Sequence, residues 1–140
     1  MSENCIFCKI VAGAIPSTRV YEDARVLAFM DIGPIVKGHV LVIPKEHHDP
    51  LTAVPPELLS DMMGVVQKVA AAQVAGLKAD GVNVHQANGA AAGQVVPHVH
   101  IHVIPRFAND GHRWNWAAGK YASMEEMQGL AAKLKTALGA

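Results

Sequence analysis

Pro97-His98-Val99-His100-Ile101-His102-Val103-Ile104-Pro105 is the stretch on which the fold turns. A β-strand repeats every two residues. The alternation therefore puts His98, His100 and His102 on one face and Val99, Ile101 and Val103 on the other. The aliphatic face belongs in a core. Three readings stand for the imidazole face: a half-exposed polar surface, a three-histidine metal site, or a division of labour in which one imidazole attacks, one is oriented or metal-bound, and one supports. Same-face side chains lie about 6.6–6.8 Å apart along a strand, where two converge on one ion but three in a row strain to do so. Pro97 fixes the start of this strand, expected over 98–105, because proline cannot donate to a ladder and pushes its predecessor toward extended geometry.

Upstream lies Asn88-Gly89-Ala90-Ala91-Ala92-Gly93. Such small residues let backbone N–H groups approach an anion closely, and Gln94 adds a neutral side-chain donor. Beside an imidazole face, this loop reads as a phosphate site.

The remaining elements follow from periodicity and punctuation. A short helix over Ile6–Val11 is ended by Gly13 and Pro16. Strands are expected over Arg19–Glu22 and 26–31, joined by the turn Asp23-Ala24-Arg25. A loop marked by Gly33-Pro34 and Lys37-Gly38 leads to a mostly β-branched strand over 39–44, apolar enough for the middle of a sheet. Pro55-Pro56-Glu57 opens a long helix, since proline suits a first turn. Leu58, Met62, Val65, Val66 and Val69 carry it to about Leu77 at helical spacing. Residues 81–87 form another strand. Residues 107–121 have no clear period, and Trp114 and Trp116 within them read either as surface packing or as reaching a neighbouring subunit's site. Ser123 and Glu126 form a capping box that opens a last helix, running to about Leu138. The fold class is α+β: a mostly antiparallel sheet of about five strands, with one long and one C-terminal helix, in one domain over 1–140.

Composition bounds the function. The 140 residues are 51% hydrophobic and 17% charged, which excludes a disordered chain. Twelve basic residues balance twelve acidic ones, so the surface lacks the charge that grips nucleic acid. No apolar run approaches the ~20 residues of a membrane span. Met1-Ser2-Glu3-Asn4-Cys5 lacks the basic and apolar regions of a signal peptide, so a cytoplasmic protein is expected. The two cysteines, Cys5 and Cys8, form a C-x-x-C. Their readings are a disulfide, a redox pair, half of a zinc site whose other ligands are histidines, or two small buried side chains.

The segment Gly93-Gln94-Val95-Val96-Pro97-His98-Val99-His100-Ile101-His102-Val103-Ile104 resembles the signature of the histidine-triad (HIT) superfamily, in which three histidines alternate with apolar residues. Cys5-Ile6-Phe7-Cys8-Lys9-Ile10, Phe29-Met30-Asp31-Ile32, Gly38-His39-Val40-Leu41-Val42-Ile43-Pro44-Lys45 and Asn88-Gly89 resemble segments of its Hint-type bacterial members. The resemblance implies a HIT fold and a homodimer with one site per subunit. It implies a nucleotide hydrolase or transferase that cleaves at the α-phosphate of nucleoside phosphoramidates or related esters. His100 would be the nucleophile and form a nucleotidyl-histidine intermediate. The alternatives it leaves are a dinucleoside polyphosphate hydrolase and a nucleotide-binding scaffold with vestigial catalysis.

By the same resemblance, the His98 carbonyl holds the other ring nitrogen of His100, and His102 and His39 support. Asn88, Gly93 and Gln94 match phosphate contacts, and Asp31 matches the acid that binds ribose hydroxyls. Phe7, Ile10, Phe29 and Ile32 match an apolar pocket for the base, expected to be a purine. Zinc-bearing members imply Cys5, Cys8, His47 and His98 as a structural zinc site, with no catalytic metal or organic cofactor. One position departs from the pattern. Val95 stands where the family often carries Ser, Thr or Glu, and valine cannot donate a hydrogen bond.

Overall fold

Two apolar sets alternate along the central strands, and each is covered by its own helix. The computed structural model describes residues 2–113 and 116–139. Its elements in chain order are α1 (Ile6–Val11), β1 (Arg19–Glu22), β2 (Val26–Met30), β3 (Val40–Pro44), α2 (Pro56–Leu77), β4 (Gly81–His85), β5 (Ile101–Arg106) and α3 (Met124–Leu138), with short 3-10 turns at Leu51–Ala53 and Ala90–Ala92. The strands form one antiparallel sheet in the order β1-β2-β3-β5-β4. The expected α+β architecture is the observed one. Among the described residues, no helix is long and apolar enough to cross a membrane.

On one face, Leu58, Met62, Val65, Val66 and Val69 of α2 pack on Val26, Ala28, Val40, Val42, Val99, Ile101 and Val103. On the other face, Phe7, Cys8 and Ile10 of α1, with Cys5 before it, pack on Leu27, Phe29, Leu41 and Ile43. Strand β3 is buried at all five residues because both faces are covered. That accounts for its Val-Leu-Val-Ile-Pro sequence, which lacks polar alternation. Gln73, a buried polar residue of α2, donates through Nε2 to the carbonyls of Gly38 at 3.0 Å and Val103 at 2.9 Å. It pins the helix to the sheet beside Gly38. Gly38 has φ of +102°, and an added Cβ would meet Leu77 Cδ1 at 2.7 Å, so the close approach there needs glycine.

Several boundaries differ from the expected ones. β2 and β4 stop at Met30 and His85, and β3 starts at Val40. The largest difference is in β5, which begins at Ile101 rather than at residue 98. The β3–β5 register pairs Val42 with Ile101, and continued upstream it brings Pro44 opposite Val99. Pro44 has no N–H for a ladder. The Val99 N–H donates instead to the carbonyl of His48 at 2.8 Å, and residue 98 lies in a bend from which residues 99–100 lead into the strand. The alternation survives the change. Val99, Ile101 and Val103 lie in the α2-covered core, and the three histidines face the α1 side.

A candidate active site and a candidate metal centre

A cavity of about 360 Å³ opens between α1, the end of β2 and the start of β5. Of the residues singled out in the sequence, Phe7, Ile10, Phe29, Asp31, Ile32, Gly93, His100 and His102 line it. His39 and His98 are buried behind it. Phe7 is the central wall. Its ring meets His100 edge-on with centroids 5.1 Å apart, His98 at 5.8 Å and Phe29 at 5.7 Å. α1 places it there because Phe7 and Ile10 are three residues apart and share the helix face that meets the sheet.

Hydrogen bonds fix the tautomers in turn. The Nδ1–H of His100 donates to the carbonyl of His98 at 2.7 Å. A carbonyl only accepts, so a neutral His100 carries its lone pair on Nε2. That is the form an attacking imidazole requires. The Ile35 N–H donates to His39 Nδ1 at 3.1 Å, which places the His39 proton on Nε2. That proton points at His102 Nδ1, 2.9 Å away. His102 then carries its own proton on Nε2 as a hydrogen-bond donor. Burial, reinforced by the nearby imidazoles of His100, His39 and His85, pushes the His102 pKa down to about 4. His39 is also lowered by burial, against the pull of Asp31. Both rings are neutral at neutral pH.

Asp31, His39 and His102 form one cluster of potential metal donors. The hydrogen bonds argue against an ion there. Coordination by His39 Nε2 would send its proton to Nδ1, where the Ile35 N–H already points. Asp31 Oδ2 stands 3.6 Å from His39 Nε2, and Oδ1 accepts the Gly33 N–H at 2.8 Å.

The second cluster behaves differently. Cys5 Sγ lies 3.4 Å from His98 Nδ1, and Cys8 Sγ lies 3.4 Å from His47 Nδ1 and 3.6 Å from His98 Nδ1. The two Nδ1 atoms are 3.2 Å apart. A tetrahedral zinc with sulfur at ~2.3 Å and nitrogen at ~2.0–2.1 Å spaces its donors roughly 3.3–3.8 Å apart, so the four residues fit that ion. His98 Nε2 donates to the Pro44 carbonyl at 2.9 Å, leaving the Nδ1 lone pair free to ligate. Burial holds the His98 pKa down to about 4, so no proton competes at neutral pH. Burial raises the Cys5 thiol, an effect that a bound cation would reverse. Four convergent sulfur and imidazole donors are the donor set of a structural rather than a catalytic zinc centre. Both cysteines are free thiols, not a disulfide. His48 contacts Glu46 and stays outside the cluster.

Two of the expected phosphate contacts are held by hydrogen bonds beside the cavity's lining. Asn88 Oδ1 accepts the Leu51 N–H, and its amide donates to Gln86. Gln94 donates to Asp49 and to the Val96 carbonyl and accepts the Gly89 N–H. Neither lines the cavity. The small-residue loop closes on itself, with the N–H groups of Ala92, Gly93 and Gln94 donating within it. Ile6 of α1 lines the cavity too, and Ile15, Pro16 and Ser17 line it without any signal in the sequence, because their position depends on how the turn after α1 folds back. Val95, 89% exposed, stands at the lip. Trp116 is exposed, and Trp114 lies outside the described residues.

Known proteins share this fold and much of this sequence. The family model described as the HIT domain matches residues 12–109. Adenosine 5'-monophosphoramidase HNT1 of Candida albicans is 46% identical over 111 residues, covering 74% of this chain and 70% of that protein. A crystal structure of a HIT family protein from Bacillus anthracis superposes with a TM-score of 0.88 at 44% identity, covering 98% of this chain and 99% of the other. A zinc-bound histidine triad family protein from Mycobacterium smegmatis superposes with a TM-score of 0.76 at 41% identity, covering 96% and 97%.

Proposed function

The chain belongs to the HIT domain family, and from that premise we propose that it is a nucleotide hydrolase of the phosphoramidase kind, working as a homodimer with a structural zinc in each subunit. The observation that carries the reading is the bond from His100 Nδ1–H to the His98 carbonyl, in a ring that borders the cavity.

The substrate is a nucleoside phosphoramidate or a related ester of a nucleoside monophosphate. Its base, a purine, lies against Phe7, Ile10, Phe29 and Ile32, and its ribose hydroxyls meet Asp31. His100 Nε2 attacks the α-phosphorus, and the P–N bond to the amine breaks as the amine takes up a proton from solvent, which the water that attacks in the second step returns. Water then attacks the nucleotidyl-histidine, releasing the nucleoside monophosphate and restoring the imidazole. Splitting one displacement into two lowers each barrier. The Nε2–H of His102, held by His39, donates to charge that develops on the phosphoryl oxygens, and the backbone N–H groups of Val95 and Val96, residues that border the cavity, add to it. Cys5, Cys8, His47 and His98 would hold the zinc, which supplies rigidity by tying the N-terminal segment to the approach of β5. Adenosine 5'-monophosphoramidase is the activity named for the Candida albicans relative, in keeping with this reading.

A dinucleoside polyphosphate substrate has less support. Among the described residues no Lys or Arg lines the cavity, and each further phosphate brings charge that cationic side chains ordinarily meet. The test compares kcat/KM on adenosine phosphoramidate and on a diadenosine polyphosphate, with His100→Ala beside the wild type. Faster turnover of the phosphoramidate, lost by several decades in the variant while AMP still binds, is the expected outcome. Full turnover by His100→Ala overturns the mechanism, and nucleotide binding without any turnover in the wild type favours the scaffold reading.

A further inference from the structure

Helix α2 packs on β2, β3, β4 and β5, and between it and the edge strand β1 a groove of about 400 Å³ opens. It lies on the α2 side of the sheet, away from His100, and among the described residues Met30 is the only one that borders both this groove and the cavity beside α1. The register of β1 against β2 shifts between Arg19 and Tyr21. Such a bulge re-aims side chains, and the successive residues Val20 and Tyr21 both border the groove. On the helix side, at about 100° per residue, Lys68, Ala72, Val69 and Gln73 succeed one another from the solvent face to the core face. Lys68 and Ala72 are exposed, Val69 and Gln73 buried. Lys68 thus stands at the mouth and Gln73 at the floor, with an apolar wall between them.

The two polar ends each lack a counterpart. Lys68 Nζ lies 5.2 Å from the centre of the Tyr21 ring, which holds the cation at the rim. Among the described residues no carboxylate is paired with it, whereas Arg19, Arg25, Lys45 and Arg106 each have one. Gln73 is 3% exposed. Its Nε2 is spent on the carbonyls of Gly38 and Val103, and its Oε1 accepts from no group. A buried acceptor without a donor is costly to keep, and in the wall of a cavity it marks where the N–H or O–H of a bound molecule belongs.

We propose that this groove is a second binding site, for an amphipathic organic anion. The anionic group meets Lys68 at the mouth, the apolar body lies between the sheet wall of Val20, Met30 and Val40 and the helix wall of Val69 and Ala72, and a donor at the far end reaches Gln73 Oε1. The size is that of a small-ligand site, and an apolar lining with a few placed polar groups is what such sites present.

The test is isothermal titration calorimetry of the full chain with 2-naphthoate and with 6-hydroxy-2-naphthoate, which adds one donor at the end remote from the carboxylate. One equivalent binds per chain, and the hydroxyl tightens binding by about fivefold. Lys68→Met weakens both ligands by about fivefold, and Lys68→Arg retains most of the affinity. Ala72→Trp, at an exposed position on the groove, fills it and blocks both ligands, while the melting temperature and the binding of AMP stay at the wild-type level. Saturating AMP leaves the naphthoate bound. Displacement by AMP overturns the proposal, because the anion then occupies the cavity at His100. Equal affinity for the two naphthoates, binding untouched by Ala72→Trp, or a wild-type chain that binds neither ligand also overturns it. These outcomes do not depend on the reaction proposed above, which turnover tests separately.

Discussion

The carbonyl of His98 accepts the Nδ1–H of His100 at 2.7 Å, so the residue that offers its own Nδ1 to the Cys5–Cys8–His47 cluster also fixes the proton of the imidazole in the cavity. Stability and reactivity therefore meet at one residue, and a change on the cluster side is felt on the cavity side.

Cys8→Ser is accordingly expected to affect both. Loss of one buried ligand leaves His47 and His98 with opposed ring nitrogens, and the melting temperature falls by on the order of 10 °C. Turnover falls with it, because the approach to β5 loses its anchor. Metal analysis, thermal melting and kcat on one preparation check this. A variant that keeps one zinc per chain and melts with the wild type contradicts the ligand assignment.

His39→Ala removes both hydrogen bonds of a buried relay, leaving the Ile35 N–H and His102 Nδ1 unsatisfied. Stability falls by about 1–3 kcal/mol. The His102 proton is no longer confined to Nε2, and kcat falls by about 10²-fold. His39→Gln, whose amide accepts and donates at comparable reach, retains part of both quantities. Chemical denaturation and steady-state kinetics separate the two variants.

His102 gives stability a defined pH dependence. Its folded pKa, pushed down to about 4, lies below the ~6.5 of a free imidazole. Between these values the unfolded chain binds the proton more readily than the folded one. Its contribution is full above pH ~6.5 and is lost as pH falls toward 4. The urea midpoint should decline over that interval and change little between pH 7 and 8. His102→Gln should make the decline shallower.

Phe7→Ala empties the wall shared by His98, His100 and Phe29. A buried phenylalanine cut to alanine costs about 3–5 kcal/mol. KM for an adenosine phosphoramidate should rise more than kcat falls, because in the proposed complex the ring contacts the base and does not take part in proton transfer. Phe7→Leu should recover more than half of the stability, as judged by denaturant midpoints.

Most of the architecture was legible because each element carries a local signal. The period-two histidines, the proline-led α2 and the Ser123–Glu126 box need nothing beyond their neighbours. Boundaries that depend on a partner strand were not legible: β5 starts late because Pro44 stands opposite Val99, a pairing of residues distant in sequence. The same holds for the site. His98, His100 and His102 declare themselves by spacing, and Cys5 with Cys8 by a motif. The lining by Ile15, Pro16 and Ser17 depends on a turn that no periodicity marks. Asn88 and Gln94 are polar residues of the predicted type, and their hydrogen bonds to Leu51 and Gln86 and to Gly89, Asp49 and Val96 are partners that composition cannot reveal.

The odd and even positions of 98–103 serve two different interiors, the aliphatic one beneath α2 and the open one beside α1. A single inserted or deleted residue would exchange the contents of the two chambers, placing imidazoles in oil and valines along the cleft. Variation in what this scaffold accepts is thereby channelled to the lip, to positions such as Ile32 and Val95 whose side chains face solvent. There a substitution can reshape the opening while leaving the paired chambers untouched.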